Sequence, residues 1–356
     1  MVIESGGEKR INSMLGKGYA WLFHAAWMAG LAVLVLLVCL AFGSVPLPLN
    51  RTIEILIAGL TGSVMEGDTE AVILLSIRLP RVLSVMLSGA ALSICGAAMQ
   101  GLLRNPLADG ATLGVSSGAS LGAMLAILLG FRLPGLPLAG PVVMAVLFAF
   151  LALALVLALA FALDRSLSTG TIILIGVILT MFTGSLMSLL ISFSGPKLRS
   201  LTFWTLGSLS GSGFSEVLLL LLTLLICAAI LIRYARELDA FSLGEENARN
   251  IGVPVKRVKL TIMIAASLLI GVCVSIGGSI GFVGLVIPHI TRRITGPAHK
   301  KMMPSSLLLG GVFLMLADLA ARTVVSPMEL PLGVVTSLIG AVFFVVILGK
   351  SRKKAA

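Results

Sequence analysis

The residue types that most often carry catalysis or bind metals are scarce and scattered in this chain. The four cysteines stand far apart inside apolar runs, and the three histidines are equally dispersed. They are Cys39, Cys95, Cys227, Cys273, His24, His289 and His299. None has the short Cys or His spacing of a zinc or redox site. We therefore predict no catalytic residue and no metal site, and we interpret the cysteines as small core residues.

Two further patterns invite a chemical interpretation. Gly349-Lys350-Ser351 resembles the end of a nucleotide-binding P-loop, but the motif requires glycine at position 344, where this chain has Phe344. We therefore expect no nucleotide or other cofactor on this chain. Asp318 and Arg322 lie one helical turn apart, a spacing that predicts an ion pair on one helix face. Such a pair would keep either charge from being buried alone.

The composition places the chain in a membrane. Of its 356 residues, 58% are hydrophobic and 12% are charged, whereas a soluble domain has about 25% charged residues. The net charge of +11 could indicate nucleic acid, but aromatic residues make up only 6% and the basic residues lie between apolar runs. We therefore interpret the basic excess as a signal of membrane topology and predict no nucleic-acid partner.

The apolar runs predict an all-α, polytopic membrane protein with about ten spans, because a span needs roughly 20 apolar residues. The first run is too long for a signal-peptide core and is kept as a span. The predicted spans are 20–43, 82–103, 112–130, 140–163, 170–194, 214–233, 258–279, 282–295, 304–325 and 332–349.

The basic residues fix the orientation of these spans. By our assignment, 19 of the 26 lysines and arginines lie on the side of both termini, which predicts cytoplasmic termini. The other seven are Arg51, Arg78, Arg81, Arg132, Lys197, Arg199 and Arg322. The predicted organisation is a cytoplasmic tail at 1–19, a transmembrane domain at 20–349 and a basic cytoplasmic tail at 350–356.

Two connecting segments have features of their own. Residues 44–70 are predicted to be external, with an interfacial helix at 51–61. Residues 234–257 form the largest cytoplasmic loop, in which Ser242-Leu243-Gly244-Glu245 fits the S-x-x-E capping box of a short helix. Gly252 and Pro254 supply stop signals. We predict a compact helical knob at about 241–254.

Small residues recur every four positions in three spans. Stripes of this kind allow close helix packing in membranes, which is our interpretation of the second and third spans. The fifth span differs, because its stripe is rich in hydroxyl groups, which could bond to their own helix or line a weakly polar pathway. The three stripes are Gly89, Ser93, Ala97 and Gly101; Gly114, Gly118, Gly122, Ala126 and Gly130; and Gly176, Thr180, Gly184, Ser188 and Ser192.

Four sequence blocks resemble the FecCD-type family of type II ABC importer permeases, which carry ferric siderophores, haem and cobalamin. The resemblance covers about residues 75–349, with order and spacing kept. The blocks are RLPRVLSVMLSGAALSICGAAMQGLLRNPLADGATLGVSSGASLGA from Arg78, FWTLGSLSG from Phe203, SLGEENARNIGV from Ser242, and GGSIGFVGLVIPHITRRITGPAHKKMMPSSLLLGGVFLMLADLAAR from Gly277 followed by ELPLGVVTSLIGAVFF.

The resemblance implies partners and a location. It implies ten spans per subunit in a bacterial inner membrane, a second permease subunit, expected to be identical, and two cytoplasmic ATPase subunits that hold ATP and Mg²⁺. It also implies an extracytoplasmic binding protein that delivers the substrate. The knob matches the family's coupling helices, which seat in the ATPase. The matching coupling residues are Ser242, Leu243, Gly244, Glu245, Glu246, Arg249 and Gly252.

The resemblance also implies roles along the pathway. Arg78, Arg81 and Arg322 match the outer arginines that meet acidic residues of the binding protein. The gate at the cytoplasmic side corresponds to Asn105-Pro106-Leu107 and Ser168-Thr169-Gly170, with Leu107 and Thr169 as the closing residues. Gly170 departs from relatives that carry a second hydroxyl residue there, so we expect a wider gate. The fifth span's hydroxyl stripe is expected to face the pathway.

The expected function is import of an iron chelate, a ferric siderophore or haem, with cobalamin as the alternative. Two other classes stay open. A secondary transporter or channel would normally show a charged relay or filter, and neither is evident. A membrane enzyme would need clustered acid, base or metal ligands.

Overall fold

The structure, a computed structural model, describes residues 24–43, 47–63, 67–131, 139–165 and 168–352. Its described part is helical and contains no strand, which confirms the predicted all-α class. The helices are α1 His24–Ala41, α2 Leu49–Thr61, α3 Thr69–Leu102, α4 Val115–Leu129, α5 Ala139–Leu163, α6 Thr169–Ser192, α7 Leu198–Thr205, α8 Phe214–Arg233, α9 Ala235–Phe241, α10 Glu245–Asn250, α11 Val255–Gly277, α12 Val283–Thr295, α13 His299–Thr323 and α14 Leu332–Arg352.

A helix occupies each of the ten predicted spans. Among the described residues, α1, α3, α5, α6, α8, α11 and α13 are long and apolar enough to cross a membrane, and α4 and Leu332–Val346 are shorter apolar helices. The predicted start of the second span at residue 82 was wrong. Helix α3 begins at Thr69 and passes through a π-helical turn, Ile73–Arg78, without a break. The apolar sequence AVILLSIR therefore extends the helix outward, and Arg78 and Arg81 lie within it.

Helices α3, α11 and α13 form the interior of the bundle. In the most apolar stretch of α3, 83% of the residues are buried, whereas the corresponding share is 28% in each of α1, α5, α6 and α8. Glycine permits the closest approaches. A Cβ atom at Gly89 would collide with the carbonyl oxygen of Gly310, and one at Gly96 would collide with that of Gly284. The packing interpretation of the second span's stripe is thereby confirmed for Gly89.

The third span's stripe packs in the same manner. Cβ atoms at Gly118 and Gly122 would collide with α5, at the carbonyls of Phe148 and Met144 respectively. Helices α4 and α5 therefore pack backbone to backbone, as the spacing predicts. The peripheral helices α5 and α8 present exposed apolar side chains such as Leu151 and Ile226 to their surroundings.

A cluster of ion pairs tethers α2 to the N-terminal end of α3. Arg51 contacts Glu54 at 3.0 Å, Asp68 at 2.5 Å and Glu70 at 2.9 Å. Hydrogen bonds to Glu70 and then Glu54 raise the pKa of the Arg51 guanidinium. The helix predicted at 51–61 is present as α2, and its lipid-interface location stays a prediction.

Candidate functional site

The predicted knob is present as two short helices, α9 and α10, that follow α8. Leu238, Phe241 and Ala248 anchor it because their side chains are fully buried. Leu243 and Ile251 point the other way, with 67% and 66% of their surface exposed. Apolar side chains this exposed on a polar loop are typical of a protein contact surface.

The capping box predicted for the knob was wrong. The N-cap of α10 is Gly244, with φ +109°, and no side chain caps the helix there. The Ser242 hydroxyl instead donates to the carbonyl of Asp239 at 2.6 Å, at the end of α9. The predicted stop is confirmed, since α10 ends at Asn250 and Gly252 follows with φ +90°.

Glu245, the first residue of α10, connects three elements. Its Oε1 atom forms an ion pair with the Nζ of Lys259 in α11 at 2.6 Å. The Oγ1 hydroxyl of Thr169 in α6 donates a hydrogen bond to the same oxygen at 3.3 Å. Only 7% of Lys259 is exposed. The knob is therefore linked to the base of two membrane helices through one carboxylate.

A second link joins the knob to α13. The Asp239 Oδ1 atom accepts the backbone N–H of His299 at 2.9 Å and lies 2.6 Å from its Nδ1. His299 is 5% exposed and opens α13. Sequence reasoning missed Asp239, His299 and Lys259, because partners 60 or 14 residues apart leave no periodic signal.

The first predicted gate segment is a tight turn. Asn105 Oδ1 accepts the Leu107 N–H at 2.9 Å, and Pro106 and Leu107 are exposed, Leu107 by 46%. Asp109 Oδ1 then accepts the N–H groups of Ala111 and Thr112 at 3.0 and 3.1 Å. Burial raises the pKa of the Asp109 carboxyl, and these two hydrogen bonds oppose that rise. Side-chain oxygens of Asn105 and Asp109 thus hold the backbone of this turn.

The second predicted gate segment is the start of α6. Ser168 is its N-cap, and the Ser168 hydroxyl accepts the Thr171 N–H at 3.5 Å. Thr169 points to Glu245 of the knob, as described above, and Gly170 has open space where a Cβ would be. The open space suits the wider gate expected there, whose function stays a prediction.

The hydroxyl stripe of α6 changes character along the helix. Gly176 packs against the Thr112 carbonyl, and Thr180 Oγ1 donates to the carbonyls of Ala111 and Gly176 at 2.9 Å. Farther along, Gly184 is open, Ser188 is exposed with its hydroxyl bonded to the Gly184 carbonyl, and Ser192 is exposed. The exposed half of this stripe is therefore available to a pathway or to another subunit.

The three outer arginines lie in a buried polar network. Arg78, Arg81 and Arg322 are 6%, 8% and 3% exposed. Arg81 binds Asp318 at 3.0 Å and Glu329 at 2.9 Å, and Arg322 Nε lies 2.9 Å from Asp318 Oδ2. The predicted Asp318–Arg322 pair is thereby confirmed.

The C-terminal carbonyls of α1 complete this network. Arg78 Nη1 donates to the Leu40 and Ala41 carbonyls at 3.0 and 3.3 Å, and Arg322 Nη2 donates to the Cys39 carbonyl at 3.2 Å. These guanidiniums therefore have partners inside the chain. Docking of an acidic partner would require them to exchange those contacts.

Residues that could ligate a metal are not brought together. No group of three or more His, Cys, Asp or Glu residues within the described ranges could hold an ion. The cysteines are free and buried. What the site offers is mechanical: a knob with exposed apolar side chains, linked by hydrogen bonds and ion pairs to the ends of membrane helices.

Comparison with known proteins identifies this architecture as that of a multi-pass inner-membrane permease subunit of an ABC importer. The profile described as FecCD transport family matches residues 31–350. The chain belongs to this family of transport subunits, which are not enzymes, as the sequence blocks predicted.

The relatives cover nearly the whole chain. It is 45% identical over 334 residues to the uncharacterized ABC transporter permease protein YvrB of Bacillus subtilis, covering 93% of this chain and 95% of that one. It is 40% identical to the cobalamin import system permease protein BtuC of Halobacterium salinarum, covering 81% and 76%. It is 35% identical to the hemin transport system permease protein HmuU of Yersinia pestis, covering 90% and 95%.

A solved structure shares the fold. It is an inward-facing conformation of a transporter assigned to the metal-chelate type of ABC transporters, with a TM-score of 0.79 and 32% identity. The match covers 92% of this chain and 98% of the other.

Proposed function

We propose that this permease carries an iron chelate, a ferric siderophore or haem, from an extracytoplasmic binding protein to the cytoplasm, with cobalamin as the alternative cargo. Similarity to a hemin permease and to a metal-chelate transporter supports the first, and similarity to a cobalamin permease supports the second. The permease works as a homodimer with two ATPase subunits that bind ATP and Mg²⁺. Both termini and the knob face the cytoplasm.

The observation that carries this mechanism is the hydrogen bond from Thr169 to Glu245. Leu243 and Ile251, exposed on the knob, provide the apolar contact for an ATPase subunit. A displacement of the knob moves Glu245, and Glu245 is bonded to the first residue of α6. Closure of the ATPases is thereby transmitted to Thr169, which with Leu107 forms the proposed gate, while the exposed hydroxyls of Ser188 and Ser192 face the cargo.

Uptake in reconstituted vesicles tests the proposal. The permease, its ATPase and its binding protein are assembled, and ATP-dependent uptake of haem, a ferric siderophore and cobalamin is compared. Thr169→Val, which replaces the hydroxyl with a methyl group of similar size, should lower uptake severalfold. Thr202→Val is the matched control, because its hydroxyl bonds only to the Leu198 carbonyl of its own helix. Uptake that persists without the ATPase or follows a proton gradient would instead identify a secondary transporter.

A further inference from the structure

A cavity of about 710 Å³ lies between α5 and α11, next to the knob. We call it the basic groove and define it by Phe161 and Arg165, Arg249 of α10, and Lys256, Lys259 and Leu260 of α11. It is separate from the predicted gate turn at 105–107 and from the exposed hydroxyls of α6. The permease mechanism above uses Glu245, which lines the cavity, but gives the cavity itself no role.

The groove carries an excess of positive charge. Lys259 is neutralised by Glu245, which also lines the cavity. Arg165, Arg249 and Lys256 are exposed, and within the described part of the chain none of the three forms an ion pair. Three cations that converge on one cavity without a carboxylate partner are typical of an anion-binding site.

The walls of the groove are apolar on the side of the membrane core. Phe161 is 51% exposed and Leu260 is 45% exposed. Lys256 lies four residues before Leu260 in α11, and therefore about 6 Å from it along the helix axis, because a helix rises 1.5 Å per residue. Arg165 lies four residues after Phe161, two residues beyond the end of α5 at Leu163. Each wall thus has an apolar side chain followed by a cation in the direction of the knob.

We propose that the basic groove binds an anionic phospholipid. The phosphate of the headgroup contacts Arg165, Arg249 and Lys256, and an acyl chain lies against Phe161 and Leu260. Basic pockets between membrane helices bind lipid headgroups in this manner. A free phosphate would satisfy the cations but would leave the apolar walls uncovered, so the lipid fits the whole cavity better.

The groove lies beside the polar link between the knob and α6. Glu245 lines the cavity while it holds Lys259 and Thr169. A headgroup bound there sits beside the link between the knob and α6. The proposal rests on the membrane-spanning character of the chain and is independent of the cargo, and it shares Arg249 with the predicted ATPase contact.

Lipid counting by native mass spectrometry tests this inference on the full chain in detergent micelles. Phosphatidylglycerol and phosphatidylcholine with identical acyl chains are titrated separately. We expect phosphatidylglycerol to bind more tightly. The triple variant Arg165→Gln, Arg249→Gln and Lys256→Gln should weaken its binding about a hundredfold, since a cation near a membrane contributes roughly fivefold. Phe161→Ala with Leu260→Ala should also weaken it.

The matched control removes the same number of exposed cations outside the groove, by Arg233→Gln, Arg236→Gln and Lys300→Gln, and should retain the lipid. Equal binding of the two lipids, or unchanged binding by the groove triple variant, would overturn the proposal. Displacement of the lipid by millimolar inorganic phosphate would reassign the groove to a free anion. A triple variant that keeps the lipid but no longer co-purifies with its ATPase would reassign it to a protein contact. Because counting needs neither cargo nor ATP, its failure leaves the transport proposal intact.

Discussion

The Oγ1 hydroxyl of Thr169, at the start of α6, donates to Oε1 of Glu245, at the start of α10, over 3.3 Å and across 76 residues of sequence. Lys259 binds the same carboxylate oxygen from α11 at 2.6 Å. A residue predicted to close the gate and a residue predicted to contact the ATPase are therefore direct neighbours. The predicted coupling surface and the predicted gate therefore share one polar cluster in this structure.

The first prediction concerns the stability of this cluster. Glu245→Gln removes the carboxylate charge that lies 2.6 Å from the buried ammonium group of Lys259. Removing one partner of a buried pair costs about 3–5 kcal/mol, and we expect about 3 kcal/mol because the Glu245 side chain is 22% exposed. Unfolding of the detergent-solubilised chain measures the effect. Glu246→Gln, one residue on and exposed, should cost less than about 0.5 kcal/mol. Equal losses in the two variants would contradict the assignment.

The second prediction concerns the outer arginine network. Asp318 contacts both Arg81 and Arg322, and its side chain is 2% exposed. Asp318→Asn keeps the shape but leaves two guanidiniums short of a buried counter-charge, so we expect a loss of about 3–5 kcal/mol in the free energy of unfolding.

Glu329→Gln is the comparison for Asp318→Asn. Glu329 is the other carboxylate that Arg81 binds, and the Glu329 side chain is 35% exposed. Its substitution should therefore lower the free energy of unfolding by no more than about 1 kcal/mol. If Asp318→Asn unfolds like the parent chain, the network contributes nothing to stability. Binding-protein docking by the arginines would then be the better explanation of why they are there.

The third prediction concerns helix packing. Gly96→Ala places a Cβ against the backbone of Gly284 in α12, where the only relief is a shift of one helix. Overpacking of this kind costs about 1–3 kcal/mol. Gly184→Ala has no atom within 4 Å of its new Cβ and should be neutral or stabilising, because alanine favours a helix by about 1 kcal/mol over glycine. A Gly96→Ala chain with unchanged thermal unfolding would show that α3 and α12 are not rigidly packed.

The sequence predicted features that depend on local spacing. The ten helices follow from runs of apolar residues, and the Asp318–Arg322 pair follows from one helical turn. The sequence could not predict the ion pair between Arg81 and Asp318, because these residues are 237 positions apart and no periodic pattern joins two helices so distant in the chain. The capping box failed because α10 begins two residues later than the spacing predicts: Gly244, not Ser242, is its N-cap, and Glu245 is the first helical residue and binds Lys259. The outward extension of α3 through Ile73–Arg78 was missed because length alone suggested a shorter span.

The last prediction concerns the turn that seats α6. The Asp109 carboxylate holds the N–H groups of Ala111 and Thr112, and this turn presents the carbonyls of the same two residues to Thr180 and Gly176. Asp109→Ala removes both acceptor contacts and should cost about 0.5–2 kcal/mol, as the loss of a helix cap does. Asp109→Asn keeps a side-chain oxygen acceptor and should cost much less.

The pH dependence of unfolding separates the roles of charge and hydrogen bonding at Asp109. Burial raises the folded-state pKa of this carboxyl, so ionisation is less favourable in the folded chain than in the unfolded one. Its contribution to stability is therefore fully present below the unfolded-state pKa and is lost as the pH rises through the higher, folded-state value. Relative to Asp109→Asn, which does not titrate, the parent chain should lose stability as the pH rises from about 4, near the usual pKa of aspartate. A parent chain that instead gains stability over this interval would show that the backbone hydrogen bonds outweigh the cost of burying the charge.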